Sequence, residues 1–304
     1  MATIRRRKPR SLRRKDGLLQ YAHNETSQGG DDGIIKRIFE LLPPLATNES
    51  GVQPRRSCLD IGAWDGRHLS NTFQLLVANP EPWYGVLVEA DTSRCEELSA
   101  LHSPLGNSVV CRAVSCAEDS DDSLLSIISV CKPELSHDFD FATIDVDGTD
   151  YWLMAELLSA YRPKCLCVEF NPSMPNDIVY IQPRDDAVRH GSSLAALVEL
   201  ASSFQYMLVE TTMYNAFFVP EDLFELHIKD HVPQQLDESG VAFPDTSVEA
   251  LHEVTMGTTL YQLYDGTLKL HGCKKLLWHR RPINEKDIQV ISAKDREFPF
   301  KPSM

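Results

Sequence analysis

From residue 57 onward the chain alternates short, nearly continuous apolar runs with segments of helical spacing. The runs are "SCLDI" (57–61), "YGVLVE" (84–89), "SVVCRAV" (108–114), "FDFATID" (139–145) and "KCLCVEF" (164–170). Continuous runs of this length suit strands covered on both faces, because a half-exposed strand would alternate apolar with polar. Between them, Leu69, Phe73, Leu76 and Val77 recur at the spacing of one helix face, and Leu153 with Leu157 repeats it. Leu194, Leu197, Val198 and Ala201 make a third set, with Ser192 or Ser193 placed to cap it. This is the pattern of a doubly wound, mostly parallel sheet. Two further runs, 206–210 and 215–220, are separated by four residues, too few for a parallel crossover, so they form an antiparallel pair. The fold expected is α/β with seven strands, the last one reversed.

Upstream, "DDGIIKRIFELL" predicts a helix that buries Ile34, Ile35, Ile38, Phe39 and Leu42, with Asp31 and Asp32 near its positive end. Residues 230–256 are polar and pattern-poor and read as a connector. The stretch 260–278 alternates around Asp265 and Gly266, a strong hairpin signal. The organisation expected is a basic arm over 1–26, a main domain over 27–225, and a connector with a hairpin extension over 226–304.

Composition changes this picture in three ways. A chain of 304 residues with 42% hydrophobic content can bury one large core. Eight of the first fifteen residues are basic, and removing them from the 30 Lys and Arg leaves 22 against 44 Asp and Glu, a body charge of −22. That body repels polyanions, so contact with nucleic acid or an anionic membrane would run through the arm alone. The eight cysteines form no disulfide pattern and no Cys-x-x-Cys pair, and Cys58, Cys165 and Cys167 sit in strand-like runs. A reducing, cytoplasmic location fits them best, with nuclear or organellar targeting by the arm left open. No apolar segment is long enough to span a membrane.

In open parallel sheets the ligand sits at the carboxyl ends of the strands, where the first turn meets a helix. That turn here reads Asp60-Ile-Gly62-Ala63-Trp64-Asp65-Gly66. Gly62 and Ala63 permit close backbone approach, and Gly66 is placed to open the helix. Trp64 stands where a dinucleotide site wants glycine, which weighs against NAD. Asp60 suits a ligand bearing an ammonium group, such as S-adenosylmethionine. Glu89 ends the second strand at the spacing where an acid takes ribose hydroxyls, and Ala113 and Val114 close the third strand beside the adenine. The plainer reading is that Asp60 caps a turn and Glu89 is a solvated strand end.

The loop "LDIGAWDG", with "VEAD" (88–91) and "IDVDGTDY" (144–151), resembles the motifs of class I S-adenosylmethionine-dependent methyltransferases, more narrowly the FkbM-like group. "SQGGDDGIIKRIFE" (27–40) is similar to a segment preceding that loop in relatives. The resemblance covers about residues 27–220. It implies a Rossmann-like seven-stranded sheet with its last strand antiparallel, S-adenosylmethionine as cofactor, and methyl transfer.

Methyl transfer to a hydroxyl requires the nucleophile to be positioned and its proton removed. Such groups project from the ends of the fourth and fifth strands, where Asp145 and Asp147, then Glu169 and Asn171, share faces by alternation. Asp145 is the first choice to face cofactor or substrate, with Asp147 beside it as a catalytic candidate. Asp145, Asp147, Glu169 and Asn171 also offer hard oxygens to a divalent metal, similar to metal-dependent catechol-type methyltransferases, although a helix beginning at Asp147 or Thr149 is the favoured reading. The long segment after Pro172 reads as a lid whose Tyr180, Arg184 and His190, with Asn171, contact substrate. The acceptor expected is an oxygen of a small molecule or glycan. The competing classes are a non-catalytic Rossmann-like binding module and an NAD-dependent oxidoreductase.

Overall fold

Seven strands, β1 (Ser57–Ile61), β2 (Tyr84–Glu89), β3 (Ser108–Cys111), β4 (Phe141–Ile144), β5 (Cys165–Glu169), β6 (Tyr206–Thr211) and β7 (Asn215–Pro220), form one sheet in the order β3-β2-β1-β4-β5-β7-β6. Neighbours from β3 to β5 pair in parallel, and β7 runs antiparallel to both β5 and β6. The computed structural model describes residues 16–44, 54–118, 120–131, 135–277, 279 and 281–288. The eight basic residues of the arm lie outside these described residues.

Alternation along the strands sends side chains to two cores. Leu59, Ile61, Val86, Val88, Ala142, Ile144, Leu166 and Val168 pack on one face with α4 (Leu124–Ser129), α5 (Asp150–Ala160) and α6 (Leu194–Ser203). Cys58, Leu87, Phe141, Cys165, Cys167 and Phe217 pack on the other with α1 (Asp31–Leu41), α2 (Phe73–Leu76) and α3 (Thr92–His102). Covering on both faces is why these strands read as continuous apolar runs. Ser193 caps α6 by accepting the N–H of Ala196, as its place before the apolar set predicts.

Several expectations are corrected. The third strand stops at Cys111, so Ala113 and Val114 lie beyond it in a loop. The helix predicted around Leu69 shrinks to the four residues of α2, because residues 64–72 wind into turns held by their own side chains. Asp65 accepts the N–H groups of Arg67 and His68, and Ser70 Oγ accepts those of Thr72 and Phe73. Leu69 itself has φ 59° and is exposed. Gly66 therefore opens no helix. The helices α3 and α4 were not anticipated. The first buries only Cys95, Leu98 and His102, a face too small and too polar to stand out as an apolar stripe. Residues 230–256 are not featureless, for they hold β8 (Gln234–Leu236), β9 (Ala242–Pro244) and a helical turn at Val248–Leu251. Within the segment expected to be arm, Leu18–Tyr21 form a 3-10 helix with Leu18 and Leu19 buried.

Cys95 and Cys111 form a disulfide, against the expectation of none. The pair joins a helix that the apolar pattern did not reveal to the end of a strand, so their sequence spacing carried no signal. Among the described residues no helix is long and apolar enough to cross a membrane.

The chain divides into two compact units, one comprising residues up to 171 with 176–253, the other 172–175 with the residues from 254 on. The second contains the hairpin of β10 (Thr258–Gln262) and β11 (Leu268–Gly272), turned at Gly266 with φ 80°.

Candidate functional site

Strand register assembles the site. Asp60 pairs with Leu87 on β2 and with Thr143 on β4, and Thr143 pairs with Cys167 on β5. Residues directly opposite point to the same face, and so does each residue two further on. Glu89, Asp145 and Glu169 each lie two residues past those partners. Four acids from four adjacent strands therefore stand over one face at the carboxyl end of the sheet, where α/β sheets bind ligands.

Asp60 is buried and accepts the Thr72 hydroxyl at 2.5 Å. Burial pushes its carboxyl up to about 7; the Thr72 hydrogen bond opposes this, and the charges of Asp145 and Glu89 add to it. Those two couplings show that the acids share one neighbourhood. Glu89 is held differently, since its two oxygens accept the N–H groups of Trp64 at 2.8 Å and Asp91 at 2.7 Å. Its carboxylate fastens the first loop to the start of α3.

Gly62 and Ala63 were expected to present their backbone to a ligand. Both N–H groups instead turn inward to the Val88 carbonyl at 3.0 Å. The need for glycine comes from the opposite side: at φ 88°, a Cβ on Gly62 would stand 1.8 Å from the Asp145 carbonyl oxygen. Gly66 packs on α3, where a Cβ would meet Leu98 and His102, and its carbonyl accepts the His102 Nε2–H at 2.9 Å. Trp64, at φ 51°, is about half exposed, with the Arg94 guanidinium 4.6 Å from its ring centre.

Across β4 and β5 the acids meet one another. The carboxyls of Asp145 and Glu169 are hydrogen-bonded, and burial is the largest cause raising both, Asp145 to about 6 and Glu169 further. One proton shared between them is the arrangement this direction implies. Asp147 is exposed at φ 57°. Ligand atoms of Asp145, Asp147 and Glu169 lie within 4.8 Å of one another, a spacing that suits a divalent cation. Asp150, at the start of α5, folds the intervening loop by accepting the N–H groups of Val146 and Gly148 at 2.9 Å, and burial pushes it up to about 7.

The expected substrate contacts have other occupations. Arg184 donates to the Cys116 carbonyl and to Glu118, and lies over the Trp152 ring. The Tyr180 hydroxyl and His190 Nδ1 are 2.7 Å apart, and the Asn171 amide donates to the His190 carbonyl. The presumed lid is wound around fully buried Gln182, whose Oε1 accepts the N–H groups of His190 and Gly191 while its Nε2 donates to the Val188 carbonyl. Ala113 is exposed and Val114 half-buried, both beyond the strand end.

Two residues were missed. Asp31, read only as a helix-end acid, is fully buried, accepts the Asn215 amide at 2.9 Å, and is pushed up to about 7 chiefly by burial. Asn215 pairs with Glu169, so Asp31 joins the acid group from above β5 and β7. The run of small residues before it, which lets the chain turn there, was the available signal. His252 is buried beside Phe170 and Thr211. Because the Thr211 hydroxyl donates to the Leu251 carbonyl at 2.7 Å, it accepts from His252 Nδ1, leaving Nε2 unprotonated. Burial lowers this imidazole to about 4, so it is neutral. It lies in the segment read as connector, and nothing in the sequence marks it.

A groove of about 480 Å³ between α1 and residues 71–79 is lined by Asp32, Lys36, Asn71 and Trp83 among others, but by neither Asp60 nor Asp145. The candidate site is not that groove.

No family model matches the sequence. No curated protein matches it either. Solved structures do. The CMeT domain of the citrinin polyketide synthase is 13% identical with a TM-score of 0.39, over 63% of this chain and 51% of that one, so this chain spans about half of it. The human methyltransferase 10 domain containing protein is 16% identical, TM-score 0.36, over 62% and 80%. The N-terminal domain of EvdMO1 with SAH bound is 10% identical, TM-score 0.38, over 64% and 84%. At such identities and scores these likenesses lend nothing to an assignment of chemistry, which rests on the residues above.

Proposed function

We propose that this chain binds S-adenosylmethionine over the ends of β1 and β2 and transfers its methyl group to an oxygen of a small molecule or glycan. The observation that carries this reading is the convergence of Asp60, Glu89, Asp145 and Glu169, from four neighbouring strands, on one face. The residues fit the cofactor: Asp60 is a buried carboxyl whose charged neighbours are themselves acids, which is the setting that receives an ammonium group. Glu89, fixed by two backbone N–H groups, keeps lone pairs for ribose hydroxyls. When bound, the cofactor supplies an electrophilic methyl group on a sulfonium.

The chain's own residues then hold and move a proton. Asp145 and Glu169 share one between two carboxyls, and Asp145, raised to about 6, accepts the proton of an acceptor hydroxyl near neutral pH. Asp150 fixes the loop carrying Asp147, so this half of the site is shaped before substrate arrives. The FkbM-like subgroup is part of this reading, on the motifs alone.

Titration calorimetry of the folded protein with SAH, the demethylated product, tests the proposal. Heat with SAH and none with NADH supports it; the reverse favours an oxidoreductase, and heat with neither favours a binding module. A second reading, that the reaction uses a divalent cation, is favoured by the spacing of Asp145, Asp147 and Glu169. There the metal would lower the pKa of the acceptor hydroxyl. A rise in Tm on adding Mg²⁺, absent in Asp147→Asn, is its expected signature.

A further inference from the structure

The half of the site that faces the cofactor hangs on α3. Asp91 caps this helix, accepting the Arg94 N–H, while its own N–H goes to Glu89. Further along, Leu98 and His102 press against Gly66, and His102 holds the Gly66 carbonyl. Arg94 covers Trp64. Glu89 and two residues of the first loop, Trp64 and Gly66, are thus placed by one helix.

Besides the main chain, a cross-link ties that helix to the sheet. Cys95, in its first turns, is bonded to Cys111, the last residue of β3 and the register partner of Glu89, with 5.6 Å between the Cα atoms. Cys95 is fully buried, whereas Cys111 is exposed. Among the described residues this is the only disulfide, and Cys58, Cys116, Cys131, Cys165 and Cys167 are buried free thiols.

We propose that the Cys95–Cys111 bond is a thiol-exchange site that sets how tightly the cofactor half holds its ligand, an inference resting on the cofactor reading above. The co-reactant is a dithiol. One of its thiolates attacks the exposed Cys111 sulfur, breaking the bond to Cys95, which leaves as a thiolate and takes up a proton. The second thiol of the reductant closes on the first, releasing Cys111 as a second thiol. Two electrons and two protons pass to the protein, and the reductant becomes a disulfide. Freed from β3, α3 keeps its joint with β2 but can shift on the sheet edge, and Arg94, Leu98 and His102, which hold the first loop, lose preorganisation.

The test is titration calorimetry with SAH on the full chain, oxidised with oxidised glutathione or reduced with dithiothreitol, thiols being counted in each form. The expected result is the appearance of two thiols and a weakening of SAH binding by about tenfold, the scale of a typical coupling between sites. Cys111→Ser, a change at an exposed position, should show the weaker affinity with and without dithiothreitol. Equal affinity in the two wild-type forms overturns this inference while leaving the cofactor reading intact. Absence of SAH binding in both forms removes the cofactor reading, and this inference with it. Failure to form the bond under oxidised glutathione, or global loss of circular dichroism on reduction, also overturns it.

Discussion

The two halves of the sheet's carboxyl edge solve the burial of acids in opposite ways. At the ends of β1 and β2, carboxylates are answered by backbone donors: Glu89 by Trp64 and Asp91, Asp65 by Arg67 and His68. At the ends of β4 and β5 acids answer acids, with Asp145 against Glu169 and Asp31 buried alongside. The first arrangement fixes a shape without storing electrostatic stress. The second keeps carboxyls partly protonated near neutral pH, which suits groups that exchange protons and would be a poor way to hold a rigid loop. Asp60 and Asp150 belong to both, being buried like the second set but hydrogen-bonded locally like the first.

The most damaging way to break this comparison is to force the halves apart. Gly62→Ala puts a Cβ against the Asp145 carbonyl at a φ that favours glycine, so β1 and β4 cannot both keep their course. The expected loss is more than about 3 kcal/mol of stability, by the scale of backbone strain and overpacking combined. Thermal unfolding measures it; an unchanged Tm would mean that the close crossing is not needed.

Glu89→Ala strikes the donor-rich half alone. It removes the acceptor of two N–H groups and the proposed ribose contact, and SAH affinity should fall about 100-fold, the scale for charged hydrogen bonds. Asp60 should keep its raised pKa in this variant, since burial is its largest cause. Calorimetry gives the affinity, and retained affinity would move the ribose site away from β2.

The acid-rich half is addressed through Asp31, whose carboxyl rises from 3.8 unfolded to about 7 folded. Between those values the folded state binds more protons than the unfolded one, so the stability tied to this group is complete below about 4. It is lost as pH climbs through about 7. Asp31→Asn keeps an acceptor for the Asn215 amide and removes the titration, so its urea midpoint should fall less steeply than wild type's between pH 5 and 8. The difference should reach about 2–3 kcal/mol by pH 8. Parallel curves would show that this half is not under charge stress.

These contrasts were unevenly legible in the sequence. The sheet was readable because strands covered on both faces must be apolar throughout, and the short link before Asn215 forced the antiparallel pair. Asp60, Glu89 and Asp145 were readable as acids at strand ends. What was hidden depends on side chains that fold loops. Ser70 and Asp65 turn an apparent helix into a wound loop, and Gln182 fastens an apparent lid. The apolar pattern is blind to both, since it reports burial of hydrocarbon and these are polar groups satisfying backbone. α3 escaped for the same reason, its inner face being Cys95, Leu98 and His102.

The smallest effect is expected outside both halves, where the segment around Gln182 reaches back to residues 115–118. Two of its residues, Arg184 and Asp186, make the contacts that hold it there, and the acids in those contacts differ in kind. Glu118, with its side chain 79% exposed, meets Arg184 at 2.6 Å in water, where such pairs contribute about 0–1 kcal/mol. Asp186 instead accepts both the Cys116 N–H and the Ser115 hydroxyl, and that backbone bond lowers its pKa against the opposing effect of burial. Glu118→Gln should therefore leave Tm and SAH affinity unchanged within error, while Asp186→Asn lowers Tm measurably and leaves SAH affinity alone. If either substitution weakened SAH, this strap would have to be counted as part of the donor-rich half, and the division between the two edges would no longer run where the strands place it.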